Sequence, residues 1–401
     1  MEPVTNPSEE IIFEPNYNIE EYRKQFLYLH RDCVYLNHAF LGILPKVALN
    51  GIISNYLNPK HTYPFNTFQE LAPVIDNLRK NIGLLINSPP GRIAFLENTS
   101  ACLNLIASSI LWESGDAILL MDCEFPANVY PFLNQRHHGV EIEFFPHSNG
   151  YIDIDRLESV IQSHSPKMLT ISHVQFSTGV RADLETIGDL CQKYDVVFCV
   201  DAIQSAGVIN IDVQKMKIDF LASGSQKWLM APEGSSFFYI SEELQENIKQ
   251  SYVGWRSVKD SFNDFLNYNR ELDESAQRFE IGTPNFMGLI GMEASVRILL
   301  DIGIKNIESY VLSLTGYLIE RLQNRGIRVI TPLEGANRAG IVSFLSDESR
   351  ELFQLLDNNK IYISLREGCI RVSPHFYNIQ ADINNLVDVI DNLHKSKKEF
   401  D

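Results

Sequence analysis

Two short segments carry residues whose types and spacing could do chemistry together, VDAIQSAG at Val200–Gly207 and SGSQKWLMAPEG at Ser223–Gly234. Lys227 follows the apolar run DFLA (Asp219–Ala222) and lies between small polar residues and Trp228. An amine so placed can be held with a lowered pKa and can condense with an aldehyde as a Schiff base. Asp201 ends the apolar run VVFCV (Val196–Val200), about one βαβ step upstream. Its carboxylate is therefore expected at the carboxyl end of a strand, where open α/β sheets bind ligands. There it could keep a pyridine nitrogen protonated and make the ring an electron sink, so that lysine and acid together supply what pyridoxal phosphate chemistry requires. Taken singly, each is in most proteins a solvated surface charge.

Other residues could serve the same chemistry. Asn98, Thr99 and Ser100 stand immediately before an apolar helical stretch. Hydroxyls and unpaired backbone N–H groups at a helix start form an anion site, although plain helix capping accounts for the same residues. Arg371, in CIRVSP, can grip a carboxylate with two parallel hydrogen bonds. As a strand, this segment puts Cys369, Arg371 and Ser373 on one face, and Ile370 and Val372 on the other.

These groups need a scaffold, and periodicity supplies its outline. Apolar runs AILLMD (Ala117–Asp122), MLTISHV (Met168–Val174) and VVFCVD alternate with helical patterns such as ADLETIGDLCQKY, in which Leu184, Ile187, Leu190 and Cys191 share a face. Such alternation indicates a mainly parallel sheet wrapped by helices. A long helical stretch, MGLIGMEASVRILLDIG, follows Thr283–Asn285, after which strands and helices become more separated. The expected division is an N-terminal segment at 1–45 packing on the small domain, a large domain at 46–302 and a small α+β domain at 303–401.

With 401 residues and 45% hydrophobic content, the chain can bury a large core. Its net charge of −17 disfavours nucleic acid and anionic membranes as partners. No apolar run approaches the roughly 18 residues that span a bilayer, and the start MEPVTNPSEEIIFEPN lacks a basic region followed by an apolar core, so a cytoplasmic protein is expected. The six cysteines show no CxxC pair and no metal-ligand spacing, and no metal is expected.

The chain resembles the class V aminotransferase family of fold-type I pyridoxal phosphate enzymes, which includes cysteine desulfurases, isopenicillin N epimerase-like proteins, kynureninase and alanine–glyoxylate aminotransferases. The resemblance rests on eight segments in the family's order: YLNHAFLG, ENTSACLNLIA, EFPANVYP, SHVQFSTGV, VDAIQSAG, SGSQKWLMAPEG, RFEIGTPN and IRVSPHFYN. It implies the fold-type I architecture, α/β with a large parallel-sheet domain and a smaller α+β one. It also implies that Lys227 and Asp201 are the catalytic pair and that Thr99, Ser100 and Gln226 hold the cofactor's phosphate. By the same resemblance Phe125 stacks on the ring, Gln204 donates to the phenolic oxygen, and Asn37 and His38 line the substrate pocket with Arg371. Thr283 would touch the phosphate in the neighbouring subunit, which implies a homodimer with shared sites acting on an L-amino acid.

The reaction branch is less defined. Desulfurases carry a nucleophilic cysteine on a mobile loop, whereas here only SLREGC separates Ile363 from Ile370, and Cys369 lies two residues from Arg371 on the same strand. Phe176 stands where desulfurases have an asparagine, and Ser177–Gly179 resembles the STG of alanine–glyoxylate aminotransferases. The leading reading is a desulfurase-like lyase of C–S or C–Se bonds, possible without an enzyme persulfide. The alternatives are a transaminase, an epimerase or a non-catalytic binding protein that kept the fold.

Overall fold

The computed structural model describes residues 14–31, 33–148 and 150–398. The first thirteen residues of the predicted N-terminal segment lie outside them. Twelve strands are described: β1 Val34–Tyr35, β2 Ile93–Leu96, β3 Ala117–Met121, β4 Glu141–Phe145, β5 Met168–Ser172, β6 Val197–Asp201, β7 Phe220–Gly224, β8 Ser236–Ile240, β9 Val342–Phe344, β10 Ile361–Tyr362, β11 Ser364–Arg366 and β12 Cys369–Val372.

Strands β3, β5, β7 and β8 are buried along their whole lengths, as continuous apolar runs must be when both faces of a sheet are covered. They belong to a seven-stranded sheet of order β2-β8-β7-β6-β5-β3-β4. Within it β4, β3, β5, β6 and β7 run parallel, and β8 pairs antiparallel with both β7 and β2. The parallel register sets Asp201 beside Ser172 on one side and Ala222 on the other. The mainly parallel, helix-wrapped sheet read from the periodicity is present.

Helix Leu184–Lys193 buries Leu184, Ile187, Leu190 and Cys191, the face its periodicity predicts. Asp183 caps it by accepting from Thr186 N at 3.2 Å. One connection differs from the βαβ expectation. Between β6 and β7 the described chain makes turns and no helix, while Val208, Ile209, Ile211, Val213, Met216 and Ile218 are all buried. Those spacings do not place the apolar residues on a single helical face, and the segment packs them as a turn-rich layer instead.

A second core surrounds a three-stranded antiparallel sheet of order β11-β12-β9 and a two-stranded parallel pair of β1 with β10. Helix Phe286–Ile302 packs in the main core; Gly303, at φ 87°, turns the chain into helix Ile304–Gln323, whose Leu314, Leu318 and Leu322 enter the second. Residues 34–38 run along this second unit: Leu36 N donates to Tyr362 O at 2.9 Å, and Ser373 N donates to Leu36 O at 2.7 Å. The same segment then crosses to the large sheet, where Gly42 N donates to the Gln226 carbonyl at 2.7 Å. No helix of the described residues is long and apolar enough to cross a membrane.

Candidate active site

Asp201 and Lys227 leave the carboxyl ends of neighbouring parallel strands. Asp201 is the last residue of β6 and is only 2% exposed, with its Oδ1 accepting from Ile203 N at 2.9 Å. Burial pushes its carboxyl above the usual range, and the charge of Lys227 pulls it back down. Lys227 stands three residues past β7. Burial lowers its ammonium pKa, the Asp201 charge opposes that, and the Arg371 and Arg366 charges add to it. The two groups are thus a buried acid and a half-buried amine that stabilise each other's charge.

A phosphate-sized anion has a prepared place beside them. Asn98 caps helix Thr99–Ser109, its side chain accepting from Ala101 N at 2.8 Å. The Thr99 hydroxyl is buried and has no hydrogen-bond partner in the protein. Buried hydroxyls are normally satisfied, so an orphan at a helix start is a donor awaiting an acceptor. Gly224 lies against it: a Cβ there would collide with Gln226 Oε1 and come within 3.1 Å of Thr99 Oγ1. Thr99, Gln226 and the bare backbone at Gly224 therefore converge, and the donor set suits the phosphate expected from the sequence. Ser100 is exposed at the same helix start.

Phe125 opens a tight turn, Pro126–Asn128, and its ring is partly exposed, as the following proline predicts. The Lys227 Nζ lies 5.8 Å from that ring's centre. Gln204 is buried in a turn and not exposed on a helix; its Nε2 donates to Ala39 O at 3.0 Å and its Oε1 accepts from Trp228 Nε1 at 2.9 Å. The amide is locked beside the lysine loop, with a second N–H to offer.

Arg371, 2% exposed, donates from Nη1 to Phe176 O at 2.7 Å and from Nη2 to Ser364 Oγ at 3.4 Å, while its Nε has no partner. Ser364 in turn donates to Asn37 Oδ1. Burial lowers the Arg371 pKa to about 9, and the neighbouring Arg366 charge adds to the effect. A buried guanidinium with an unused N–H is a receptor for a carboxylate. His38 has no exposed surface: it hydrogen-bonds Tyr377 OH and packs against Trp228 and His375, so the structure sets it behind the lysine loop and not among the open groups. Thr283 is exposed and shares a cavity of about 370 Å³ with Glu97, Gly234 and Asn285, apart from Lys227 within one chain.

Two positioning features escape sequence inspection. Glu124 is buried, accepts from Ser172 N at 2.8 Å, Gln175 Nε2 at 3.0 Å and Asn128 Nδ2 at 3.0 Å, and so fastens the Phe125 turn to the end of β5. Ser172 ends β5 and Gln175 follows it, both distant in sequence; the only local hint is the Glu124–Asn128 spacing. Arg366 is the second, visible only once the β11–β12 register is known.

The family model described as Aminotransferase class-V matches residues 49–386. A "Probable cysteine desulfurase" of Pyrococcus abyssi is 28% identical over 94% of this chain and 98% of its own. The apo cysteine desulfurase of Thermococcus onnurineus NA1 superposes with a TM-score of 0.86 at 26% identity, covering 96% of this chain and 100% of that one. The cystine C–S lyase C-DES, in complex with its reaction product cysteine persulfide, gives a TM-score of 0.83 at 26% identity over 91% of this chain and 98% of that one.

The Thr99→Val substitution tests the orphan hydroxyl. It should leave the melting temperature of the cofactor-free protein unchanged or higher, and weaken pyridoxal phosphate binding about ten- to a hundredfold in equilibrium titration. Unchanged affinity would remove Thr99 from the phosphate site.

Proposed function

The chain belongs to the aminotransferase class-V family and is a pyridoxal-phosphate-dependent enzyme, and from that premise we propose that it breaks the C–S bond of a cysteine-derived L-amino acid by β-elimination, releasing the sulfur product without an enzyme persulfide. The single observation that carries this reading is the placement of Cys369. Residues Glu367 and Gly368, both at positive φ (46° and 78°), make a two-residue hairpin between β11 and β12, and Cys369 is paired opposite Arg366. It has no loop on which to swing. Burial also raises its thiol pKa, and the thiols of Cys102, Cys123 and Cys199 are pushed up to about 12, all poor settings for a thiolate nucleophile. Similarity to C-DES, a C–S lyase, supports the same reading.

Bound pyridoxal phosphate supplies an electron sink for the substrate's α-carbon. The protein's residues supply the rest. Thr99, Ser100 and Gln226 would hold the phosphate; Asp201, buried and beside Lys227, would keep the ring nitrogen protonated; and Phe125 would cover the ring face. Gln204 has an N–H for the phenolic oxygen. Arg371 would grip the substrate carboxylate, with Asn37 steadying it through Ser364. Lys227 Nζ, its pKa lowered by burial and by two arginines, is the base for the α-proton. His38 acts as a positioning residue behind the lysine loop.

The working form proposed is a homodimer in the cytoplasm. Exposed apolar side chains cluster between positions 252 and 281, among them Phe265, Leu266 at 81%, Tyr268 at 87% and Ile281, a patch of the kind that marks an interface. Thr283, exposed just beyond it, would reach a partner's phosphate in this reading.

Two measurements test these statements. Lys227→Ala should lower turnover by about 10²–10⁴-fold, whereas Cys369→Ser should keep it within about twofold; loss of sulfur release in the serine variant would restore a persulfide step. Sedimentation at micromolar concentration should give twice the 45.7 kDa chain mass, and a monomer would contradict the shared site.

A further inference from the structure

Three side chains of metal-ligating type meet outside the site described above. Asp122 and Cys123 form the turn that leaves β3, and His147 lies two residues past β4. The parallel pairing of Met121 with Phe145 carries both segments to the same edge of the sheet. Asp122 N donates to Phe145 O at 3.1 Å, and Asp122 Oδ1 accepts from His147 N at 3.2 Å, so the two loops are fastened to each other. One ligand atom each from the Asp122 carboxylate, the Cys123 thiol and the His147 ring lies within 4.8 Å of the other two, and among the described residues no other set of three is this close. The β3–β4 crossover separates Cys123 from His147 in sequence, so no ligand spacing announces the set. Strand β5 stands between β3 and β6, which puts the cluster roughly 10 Å across the sheet from Asp201.

One sulfur, one nitrogen and one oxygen suit a borderline ion such as Zn²⁺ and differ from the all-oxygen sets of Ca²⁺ and Mg²⁺. Tetrahedral zinc holds neighbouring ligand atoms roughly 3.3–3.6 Å apart, so side-chain rotation closes the remaining gap. The side chains of Asp122 and His147 are 42% and 29% exposed, which leaves them room to turn. The His147 ring touches Asp122 through Nδ1, and an ion would take the place of the proton they share. Local charge favours a cation: among the described residues, no lysine or arginine pairs with Asp122 or with the buried Glu124. Burial pushes the Cys123 thiol up to about 12, and the carboxylates of Glu124 and Asp122 add to the effect. A bound dication reverses that balance and takes the thiolate. Cys123 has no disulfide partner to prevent it.

We propose that Asp122, Cys123 and His147 bind a divalent ion of the zinc class, with solvent as its fourth ligand, and that the ion braces the turn carrying Phe125. Cys123 is two residues before Phe125, whose ring meets that of Phe176 with centroids 5.2 Å apart and lies 5.8 Å from Lys227 Nζ. Glu124 fastens this turn through Ser172 and Gln175, and the ion would fasten the residue before it to the loop after β4. No step of the reaction passes through the ion, and the site does not depend on the C–S lyase reading.

Zn²⁺ titrated calorimetrically into the cofactor-loaded enzyme should bind at one equivalent per chain with a Kd of about 1 μM or tighter and release protons. Co²⁺ in its place should give the visible bands of tetrahedral, thiolate-ligated cobalt. Cys123→Ser and His147→Ala should each weaken Zn²⁺ binding about a hundredfold. Zn²⁺ should also raise the melting temperature of the wild type and slow amide exchange at Asn128 and Val129, whose N–H groups close the Phe125 turn, and should do neither in Cys123→Ser. A wild type that takes up no Zn²⁺ below about 100 μM, or a Cys123→Ser variant that binds it equally well, overturns the site. Tight binding that leaves exchange at Asn128 and Val129 unchanged overturns the bracing of the turn.

Discussion

A buried carboxylate and a half-buried amine at the ends of adjacent parallel strands are the constraint around which the rest of this structure is arranged. Neither charge would be comfortable there alone, because desolvation raises Asp201 and lowers Lys227. Each offsets part of the other's cost, and strand register fixes both. The β5–β6–β7 ladder holds Asp201 between Ser172 and Ala222. Everything else that meets the pair arrives at the same carboxyl edge of the sheet: the helix start at Thr99, the Phe125 turn clamped by Glu124, and the Phe176 carbonyl that orients Arg371. An open α/β sheet offers this edge to ligands because its loops diverge there.

The second unit brings what the large sheet lacks, a cationic face made by Arg366 and Arg371. Its position is set by the chain near residues 34–42, which pairs with β10 and Ser373 and then hydrogen-bonds Gln226. The segment after β5 ties the units from the other side, with Ser177 O accepting from Ser343 Oγ and Thr178 O from Thr331 Oγ1, both at 2.6 Å. The Ser177–Gly179 motif therefore has a structural task here, docking the two units, and it does not by itself point to amino transfer. Arg371 and Lys227 belong to different cores, so their relation depends on these few strands of backbone contact.

Much of the site was legible in the sequence because local signals coincide with tertiary placement. An apolar run ending in a charge, as in VVFCVD, reads as a strand that delivers its last residue to an edge, and Asp201 is delivered there. The alternation in CIRV puts Arg371 on a defined face, and Asn98 announces the helix that carries Thr99. What stayed hidden depends on residues distant in sequence. Glu124 is meaningful only against Ser172 and Gln175, Gln204 only against Ala39 and Trp228, and Arg366 only once a two-residue turn sets the hairpin register. His38, which its motif assigns to the pocket, is fully buried against Tyr377 and Trp228, contacts that no local pattern announces. The turn-rich path from β6 to β7 was missed because its buried residues follow no helical period.

The most direct test of the central claim is the stoichiometry of products when the cofactor-loaded enzyme is given L-cystine, and separately L-cysteine, with no keto acid present. A C–S lyase turns over repeatedly, so pyruvate and sulfur product should accumulate far beyond one equivalent per chain while the cofactor is recovered as pyridoxal phosphate. A single equivalent of keto acid, with the cofactor recovered as pyridoxamine phosphate and no sulfur released, would contradict the account and identify a transaminase.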